Sequence, residues 1–594
     1  MGLNEFNDDY LNVLLEKLSK ENKTIFILGD FNVDLLKYDK NNSTNDFLDS
    51  ISSNSFLPQI LLPTRIVGTS KTLIDNIFSN HISNDILSGN ITASISDHLP
   101  QICIVPNIFS NSPTPKINVY ERDWKNFNQE EFLIDFAASD WNLMLKIGQN
   151  DVNSSFNVFL KHINILLDKF APFKKISKYK LKFKSKPWIS NSIQKSICTK
   201  NKYFTKYIRQ KDPILKSFWH DKYKTYRNAL STLLKQSKKN YYTKFFNSNI
   251  NNIKNTWKGI KSIISKGDNE SFAPTSISIN KSILTEPNII ANEFNNYFCS
   301  IGKKIQSNIK HSFRDFHFFL GDLFEKSFFV SPTDNMEIAD IISNLNQYKS
   351  EGPNGIPMKI LHLLRNDISS ILADLFNLSF SSGVFPSILK IAKVIPVHKK
   401  SSKLDTSNYR PISILSNLDK IIERLMYNRL YKFLESNDLI YSLQFGFRKN
   451  YSTSLALLSL TENIKQEIDK GRFGCGIFID FQKAFDTVDH NILLEKLHHY
   501  GIRGISNNWF KSYLNDRKQY VTINGYNSDF ASIECGIPQG SILGPLLFLI
   551  YINDLHSSIK FCKTHHFADD TNLLYFDDSF KKLEKIINQD LKTL

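Results

Sequence analysis

The sequence predicts a multi-domain chain in three parts: an α/β unit over 1–105, a basic helical connector over 106–330 and an α+β unit over 331–594. Three observations predict it. The 594 residues are 41% hydrophobic and 13% aromatic against 22% charged, which supplies apolar side chain for several cores and excludes a single small binding module. The positive charge is concentrated: Lys174 to Lys266 holds 25 Lys and Arg against only Asp212 and Asp221, a local net of +23 in a chain whose total is +16. On both sides of that stretch, apolar runs of strand length alternate with helix-periodic segments.

In the first part, Tyr10, Leu11, Val13, Leu14, Leu15 and Leu18 mark an amphipathic helix. Thr24 to Leu28 reads as a buried strand ending in Gly29-Asp30-Phe31-Asn32. Further strands are expected around Ile74 to Phe78 and Ile102 to Val105, separated by Asn/Ser-rich turns. Val105 to Lys116 has three prolines and no periodicity, which predicts a linker. The connector is expected to be helical and Lys-rich from about 121 to 266, broken by polar residues over Gly267 to Pro274, and helical again from about 287 to 310. Its charge attracts a polyanion. Its aromatics, Tyr179, Phe183, Trp188, Tyr203, Phe204, Trp219, Tyr241, Tyr242 and Trp257, suit packing on sugars or bases, or on each other. Nucleic acid is the expected partner, against the plainer reading of a solvated helical face.

The last part alternates helical segments (Ile338 to Leu345, Leu418 to Leu434, Leu455 to Asp469) with β-rich runs (Val394 to Val397, Cys475 to Ile479, Gln519 to Ile523, Phe567 to Phe576). The longest apolar stretch, Ile542 to Ile552, contains Pro545 and falls short of the ~20 residues a membrane span needs, so no membrane association is expected. The N-terminus has no basic segment followed by an apolar run, so the expectation is an intracellular protein of nucleus and/or cytoplasm. Six cysteines with no CxxC pair exclude a zinc ribbon and a disulfide framework.

Within the last part, Gly476-Ile477-Phe478-Ile479-Asp480 is an apolar strand that ends in a carboxylate. Eighty-nine residues later, Phe567-Ala568-Asp569-Asp570 sets two adjacent acids between apolar residues. Adjacent acids at a hairpin tip repel each other. They are tolerable when divalent cations sit between them and a third carboxylate, the arrangement used for two-metal phosphoryl transfer. Alone, an Asp-Asp pair is more often an ordinary turn. Its company, in order, is Asn408-Tyr409-Arg410-Pro411-Ile412-Ser413, Gln444-Phe445-Gly446-Phe447-Arg448, the Asp480 strand, Gly536-Ile537-Pro538-Gln539-Gly540-Ser541 and Phe567 to Asp570.

With these motifs the chain resembles, over roughly 330 to 594, the reverse transcriptases of non-LTR (LINE-type) retrotransposons, particularly those with an apurinic-endonuclease-like N-terminal domain. The resemblance implies right-hand polymerase fingers and palm. Asp480, Asp569 and Asp570 would be the catalytic triad holding two Mg²⁺. Lys399, or the equally placed Lys400, and Arg410 would contact the incoming triphosphate, where a guanidinium can grip phosphate oxygens bidentately. Phe485 would block a ribose 2′-hydroxyl, with a core aromatic as its plainer reading, and Gln539 would support nucleotide and template. The implied partners are an RNA template, a DNA primer or target, and dNTPs. Lys349 to Pro357 looks like the extension motif that touches template RNA, with Asn354 where the family has Asp.

Gly29 to Asn32, Thr72 to Phe78 and Ser96-Asp97-His98 resemble the second half of an endonuclease/exonuclease/phosphatase domain, a partial α/β four-layer sandwich. There Asp30 would activate water, Asn32 hold the phosphate, Asp75 orient His98, His98 stabilise the oxyanion and Asp97 help hold Mg²⁺. The family's first half would precede Asp30 by far more than 29 residues, so a nuclease remnant, with little stability and no activity, is expected. Leu594 follows Asp570 by 24 residues, so fingers and palm without a thumb are expected. The implied function is RNA-directed DNA polymerase, expected as a truncated copy; the alternative is a catalytically silent nucleic-acid-binding remnant.

Overall fold

The computed structural model describes residues 8–594 except 20, 22–23, 82–85, 94–95, 106–119, 142–150, 176–185, 251, 265–273, 280–281, 310–314, 348–349 and 354–355. The expected linker past Val105, most of the Gly267 to Pro274 break, Tyr179, Phe183, Lys349 and Asn354 lie outside the described residues. The chain divides into two compact units, Met1–Lys116 and Ile117–Leu594.

In the first unit, Phe26–Asp30, Asp75–Ser79 and Leu57–Pro58 form an antiparallel sheet with Asp75–Ser79 in the centre. The helices Asp8–Ser19 and Asn42–Ser53 help build its core. Leu15, Phe47, Ile51, Phe56 and Phe78 are buried together, with the Phe31, Phe47 and Phe78 rings in edge or tilted contact. The strand from Thr24 is less buried than its apolar run suggests: Leu28 is 64% exposed, and Ile102 and Ile104 on the hairpin Leu87–Asn90 with Gln101–Ile104 are exposed too.

The second unit overturns the separate connector. The helices Gln129–Ala137 and Val152–Phe170, capped by the Asn128 and Asp151 side chains, bury Phe132, Phe136, Phe156, Phe159 and Ile163 in one continuous core with Ile338, Leu372, Leu418, Leu425, Leu497 and Trp509. The helix Pro287–Ser307 packs Ile290, Phe294 and Phe298 on Val394, Tyr409, Val521 and Ile523 of the second unit's larger sheet. The physical reason is amphipathicity. These helices carry apolar faces that only the rest of the unit can cover, whereas the Lys-rich stretch does not. That stretch forms a hairpin of Asn191–Arg209 and Pro213–Ser248, started by the caps Ser190 and Asp212 and by Pro213.

Two sheets position the site. The larger runs Tyr409–Ile414, Ile391–His398, Arg517–Ile523, Tyr526–Asn527, with Ala531–Ile533 also pairing Arg517–Ile523. The smaller is Phe473–Ile479, Asp570–Asp577, Lys563–Phe567, all antiparallel. Along Phe473–Ile479, alternate residues Cys475, Ile477 and Ile479 pack with Leu573, Tyr575 and Leu583, the last from the helix Phe580–Thr593. The single run expected over Phe567 to Phe576 is a hairpin. Its first strand escaped notice because Lys563-Thr564-His565-His566 is polar, although His565 and His566 are 2% and 3% exposed. No described helix is long and apolar enough to cross a membrane.

Candidate active site

Three carboxylates meet at one end of the smaller sheet. Ile479 pairs with Thr571, so the next residues outward, Asp480 and Asp570, are neighbours. Phe567 pairs with Asp570, leaving Ala568 and Asp569 as a two-residue turn. Ala568 has φ 59°, the left-handed geometry that such hairpins favour and an alanine resists. The turn is clamped from outside. Gln444 Oε1 accepts the Ala568 N–H at 3.0 Å and the Gly446 N–H at 2.9 Å. The Phe445 N–H donates to the His566 carbonyl at 2.8 Å, and the His566 N–H to the Leu443 carbonyl at 3.0 Å. A methyl group on Gly446 would overlap the Ala568 backbone nitrogen, so only glycine admits this approach. The Gln444 to Arg448 motif was legible, but its role as the clamp of the acidic turn was not, because a side chain 124 residues away in sequence makes the bond.

Asp480 and Asp570 are exposed and Asp569 half-buried. Partial burial, then the charges of Asp569 and Asp480, push the Asp570 carboxyl above the usual carboxylate range. A cavity of about 490 Å³ beside them, lined by Phe445, Leu457, Phe478, His565 and Asn572, reaches Asp480 and Asp570.

The nucleotide-contact candidates form a second group. Val397 pairs with Arg410 across the larger sheet, and the Lys399 N–H donates to the Asn408 carbonyl at 2.8 Å, which brings Lys399 and Arg410, both exposed, to one edge. Sequence reasoning missed Lys483 beside them. It sits at φ 53°, and its ammonium donates to the Ser407 and Tyr409 carbonyls at 3.2 and 3.3 Å. Burial lowers its pKa, aided by the Lys399 and Arg410 charges and opposed by Asp486. The signal available was its place three residues after Asp480.

Gln539 donates through Nε2 to Asp486 Oδ1 at 2.8 Å, and its carbonyl accepts the Ser413 N–H at 2.8 Å. Burial pushes the Asp486 carboxyl up, against the Gln539 hydrogen bond and the Lys483 charge. At Gly540, φ is 123° and a Cβ would stand 2.6 Å from the Ser413 carbonyl oxygen. Phe485 is half-buried, stacked on Phe548 at 4.8 Å and edge-on to Phe447 at 6.1 Å. It is a shelf at the margin of the core, with features of both readings.

In the first unit, Asp30 pairs with Asp75 across the sheet, and His98 Nδ1 lies 3.0 and 3.1 Å from the two Asp75 oxygens. Ligand atoms of Asp30, Asp75 and His98 lie within 4.8 Å of one another, close enough to hold a metal ion. Asn32, at φ 53°, donates its N–H to Asp30 Oδ1 at 3.0 Å. Asp97 stands outside this cluster. Arg65, bridged through its backbone to His98, donates Nε to Asp97 at 2.8 Å, and that hydrogen bond holds its carboxyl below the usual range.

Residues 397–594 match the family model described as reverse transcriptase (RNA-dependent DNA polymerase). The chain is 31% identical over 267 residues to the RNA-directed DNA polymerase from mobile element jockey of Drosophila melanogaster, covering 43% of this chain and 29% of that protein. It is 32% identical over 279 residues to the probable RNA-directed DNA polymerase from transposon BS of the same fly, covering 45% and 30%. It is 28% identical over 256 residues to the Pol polyprotein from type-1 retrotransposable element R1 of Bradysia coprophila, covering 42% and 25%. The chain therefore spans less than a third of the length of these relatives. The acidic hairpin, its clamp and the cationic edge all lie inside the stretch, residues 397–594, that matches the reverse transcriptase family.

Proposed function

We propose that the chain is an RNA-directed DNA polymerase of a non-LTR retrotransposon, with Asp480, Asp569 and Asp570 at its catalytic centre. The observation that carries this reading is the convergence of those three acids on adjacent strand ends within the matched domain. The donor set fits a hard divalent cation. It is all carboxylate oxygen, open to solvent, and Asp570 is burdened by its neighbours' charges with no Lys or Arg paired to the three acids among the described residues. When bound there, Mg²⁺ would supply Lewis-acid stabilisation of the nucleotide's phosphates and of a primer 3′-hydroxyl.

The chain's own residues do the rest. The Gln444 clamp fixes the acidic turn before substrate arrives. Lys399, Arg410 and Lys483 offer positive charge to the triphosphate of a dNTP, with the forked guanidinium suited to two phosphate oxygens. Gln539, held by Asp486, and Phe485, stacked on Phe548, border the sugar and base and favour a deoxyribose. An RNA template and a DNA primer complete the substrate set. The test is primer extension on an RNA template. Asp569→Asn is expected to abolish incorporation, by about 10³-fold or more, with RNA binding changed by no more than about threefold. Loss of RNA binding instead would refute the assigned role.

The basic hairpin favours a second activity, nucleic-acid binding through its phosphates. Between 191 and 248 it carries 14 Lys and Arg against Asp212 and Asp221. Its aromatic rings pair with each other, Tyr203 with Trp219 and Tyr226, Phe204 with Tyr223, and Trp188 with Tyr241 and Tyr242. Charge, then, and not base stacking, is what this hairpin offers a partner. For the first unit we read Asp30, Asp75 and His98 as an endonuclease/exonuclease/phosphatase-like phosphodiester site, supported by their metal-compatible spacing.

A further inference from the structure

Behind the Gln539 turn the domain buries two carboxylates that no step above uses. Asp419 and Glu423, one turn apart on the helix Asn417–Ser436, have no exposed surface. The Tyr513 hydroxyl donates to Glu423 Oε1 at 2.5 Å, and the Ile542 N–H to Glu423 Oε2 at 2.6 Å. Arg517, 1% exposed at the start of a central strand, donates to the Tyr513 carbonyl at 3.0 Å, and its charge favours the ionised form of both acids. The two acids differ. Both Glu423 oxygens have donors, whereas neither Asp419 oxygen has a hydrogen-bond partner among the described residues. Burial, then the Glu423 charge, pushes Asp419 well above the carboxylate range. Burial raises the Glu423 carboxyl as well, but its Tyr513 and Ile542 hydrogen bonds and the Arg517 charge oppose that rise, so Glu423 is the more readily ionised of the pair.

A carboxyl pair is costly to bury, and apolar side chains would fill this space at less cost. What an apolar residue cannot do is accept the Ile542 N–H, three residues after Gln539. The turn's first limb is held by the Val488 and Phe485 carbonyls, which accept the Gly536 and Ile537 N–H groups, and by the His490 ring on the Gly536 carbonyl. Its second limb, Gln539 to Ile542, is held by Gln539 Nε2 on Asp486, the Gln539 carbonyl on Ser413, and Ile542 on Glu423. The first two of these three join residues at the nucleotide side. The third ties this second limb, the one that carries Gln539, to the helix Asn417–Ser436 of the main core.

We propose that Glu423 is a positioning residue for the incoming nucleotide: through the Ile542 amide it sets where the Gln539 turn stands against the Arg410 strand. The inference rests on the polymerase reading. It is tested in the full chain with Glu423→Ala and Glu423→Gln. Glutamine keeps a carbonyl for Ile542, so a fold that tolerates it separates anchoring from loss of charge. In hydrogen–deuterium exchange, Glu423→Ala is expected to speed exchange of peptides over 536–543 about tenfold or more and leave those over 365–382 unchanged, with Glu423→Gln within about threefold of the parent. In primer extension, the alanine variant is expected to raise KM for dNTP about tenfold with kcat within about threefold, and glutamine to restore it. Unchanged exchange over 536–543, or an equal rise in both segments, would overturn the proposal. A parent chain that extends no primer refutes the polymerase reading and with it the nucleotide role; exchange over 536–543 still decides whether Glu423 anchors the turn.

Discussion

The two units each gather acidic side chains at strand ends, and they balance the charge in opposite ways. In the first unit, Asp75 has the His98 ring at 3.0 Å and Asp97 has Arg65 at 2.8 Å, so two of its acids have a partner within the unit while Asp30 lies across from Asp75. In residues 397–594, Asp480, Asp569 and Asp570 face one another, and burial together with the Asp569 and Asp480 charges raises the pKa of Asp570. A cluster that compensates itself is stable without help. One that does not leaves its charges to be met by a cation from outside, as proposed above, or to cost stability.

The sharpest way to break this comparison is to neutralise one of these three acids. Asp570→Asn removes a repelled charge without changing shape. Incorporation should fall by about 10³-fold or more, because a cation ligand is lost. The melting temperature of the chain should rise. The sign follows from the shift: a carboxyl raised in the folded state is easier to ionise unfolded, so its ionisation at neutral pH costs stability. Thermal unfolding beside primer extension checks both. A lower melting temperature would mean that the three acids do not repel as described.

The second prediction concerns the strand that carries this turn. His566 is 3% exposed, with Nδ1 2.9 Å from Thr571 Oγ1, and burial, followed by the His556 and His565 charges, holds its pKa down to about 4. An unfolded imidazole titrates near 6.5. Between those values the unfolded chain binds more protons, so stability is fully present above about 6.5 and is lost as pH falls towards about 4. The loss from this group approaches about 3 kcal/mol. Urea unfolding at a series of pH values reads it. A stability that stays level down to pH 4 would show that His566 is not held neutral.

The same contrast explains what the sequence made legible. The acids, the Arg410 strand and the Gln539 turn were visible because each is a short run whose chemistry is local. Gln444, Lys483 and Glu423 were not, because their roles come from contacts with residues far off in the chain: Ala568, Ser407 and Ile542. The helices Gln129–Ala137 and Val152–Phe170 were read as helical but assigned to a connector, since periodicity reveals an apolar face without naming what covers it. Asp97's pairing with Arg65, 32 residues upstream, is invisible in the short motif that carries the resemblance.

A third prediction separates the acids from their scaffold. Gly446→Ala keeps every carboxylate but drives a methyl group into the Ala568 backbone. Relief requires the Gln444 loop or the acidic turn to move, at a cost of about 1–3 kcal/mol. If the clamp preorganises the acids, activity should fall by about 10- to 100-fold, appearing in kcat more than in KM for dNTP. Stability loss with unchanged kcat would reduce the clamp to packing.

The smallest effect lies in the first unit and should have the opposite sign to that of Asp570→Asn. Asp75→Asn keeps an oxygen for the His98 ring but removes the charge that strengthens the hydrogen bond. Asp75 is only 13% exposed at its side chain, so water cannot fully replace what is lost, and stability should fall by about 1 kcal/mol. Hydrogen exchange over 75–79, normalised to that over 570–577, reads the first unit without interference from the second. One isosteric change then loosens a self-compensated cluster while the other tightens an uncompensated one. Equal signs would mean that charge balance does not distinguish the two sites.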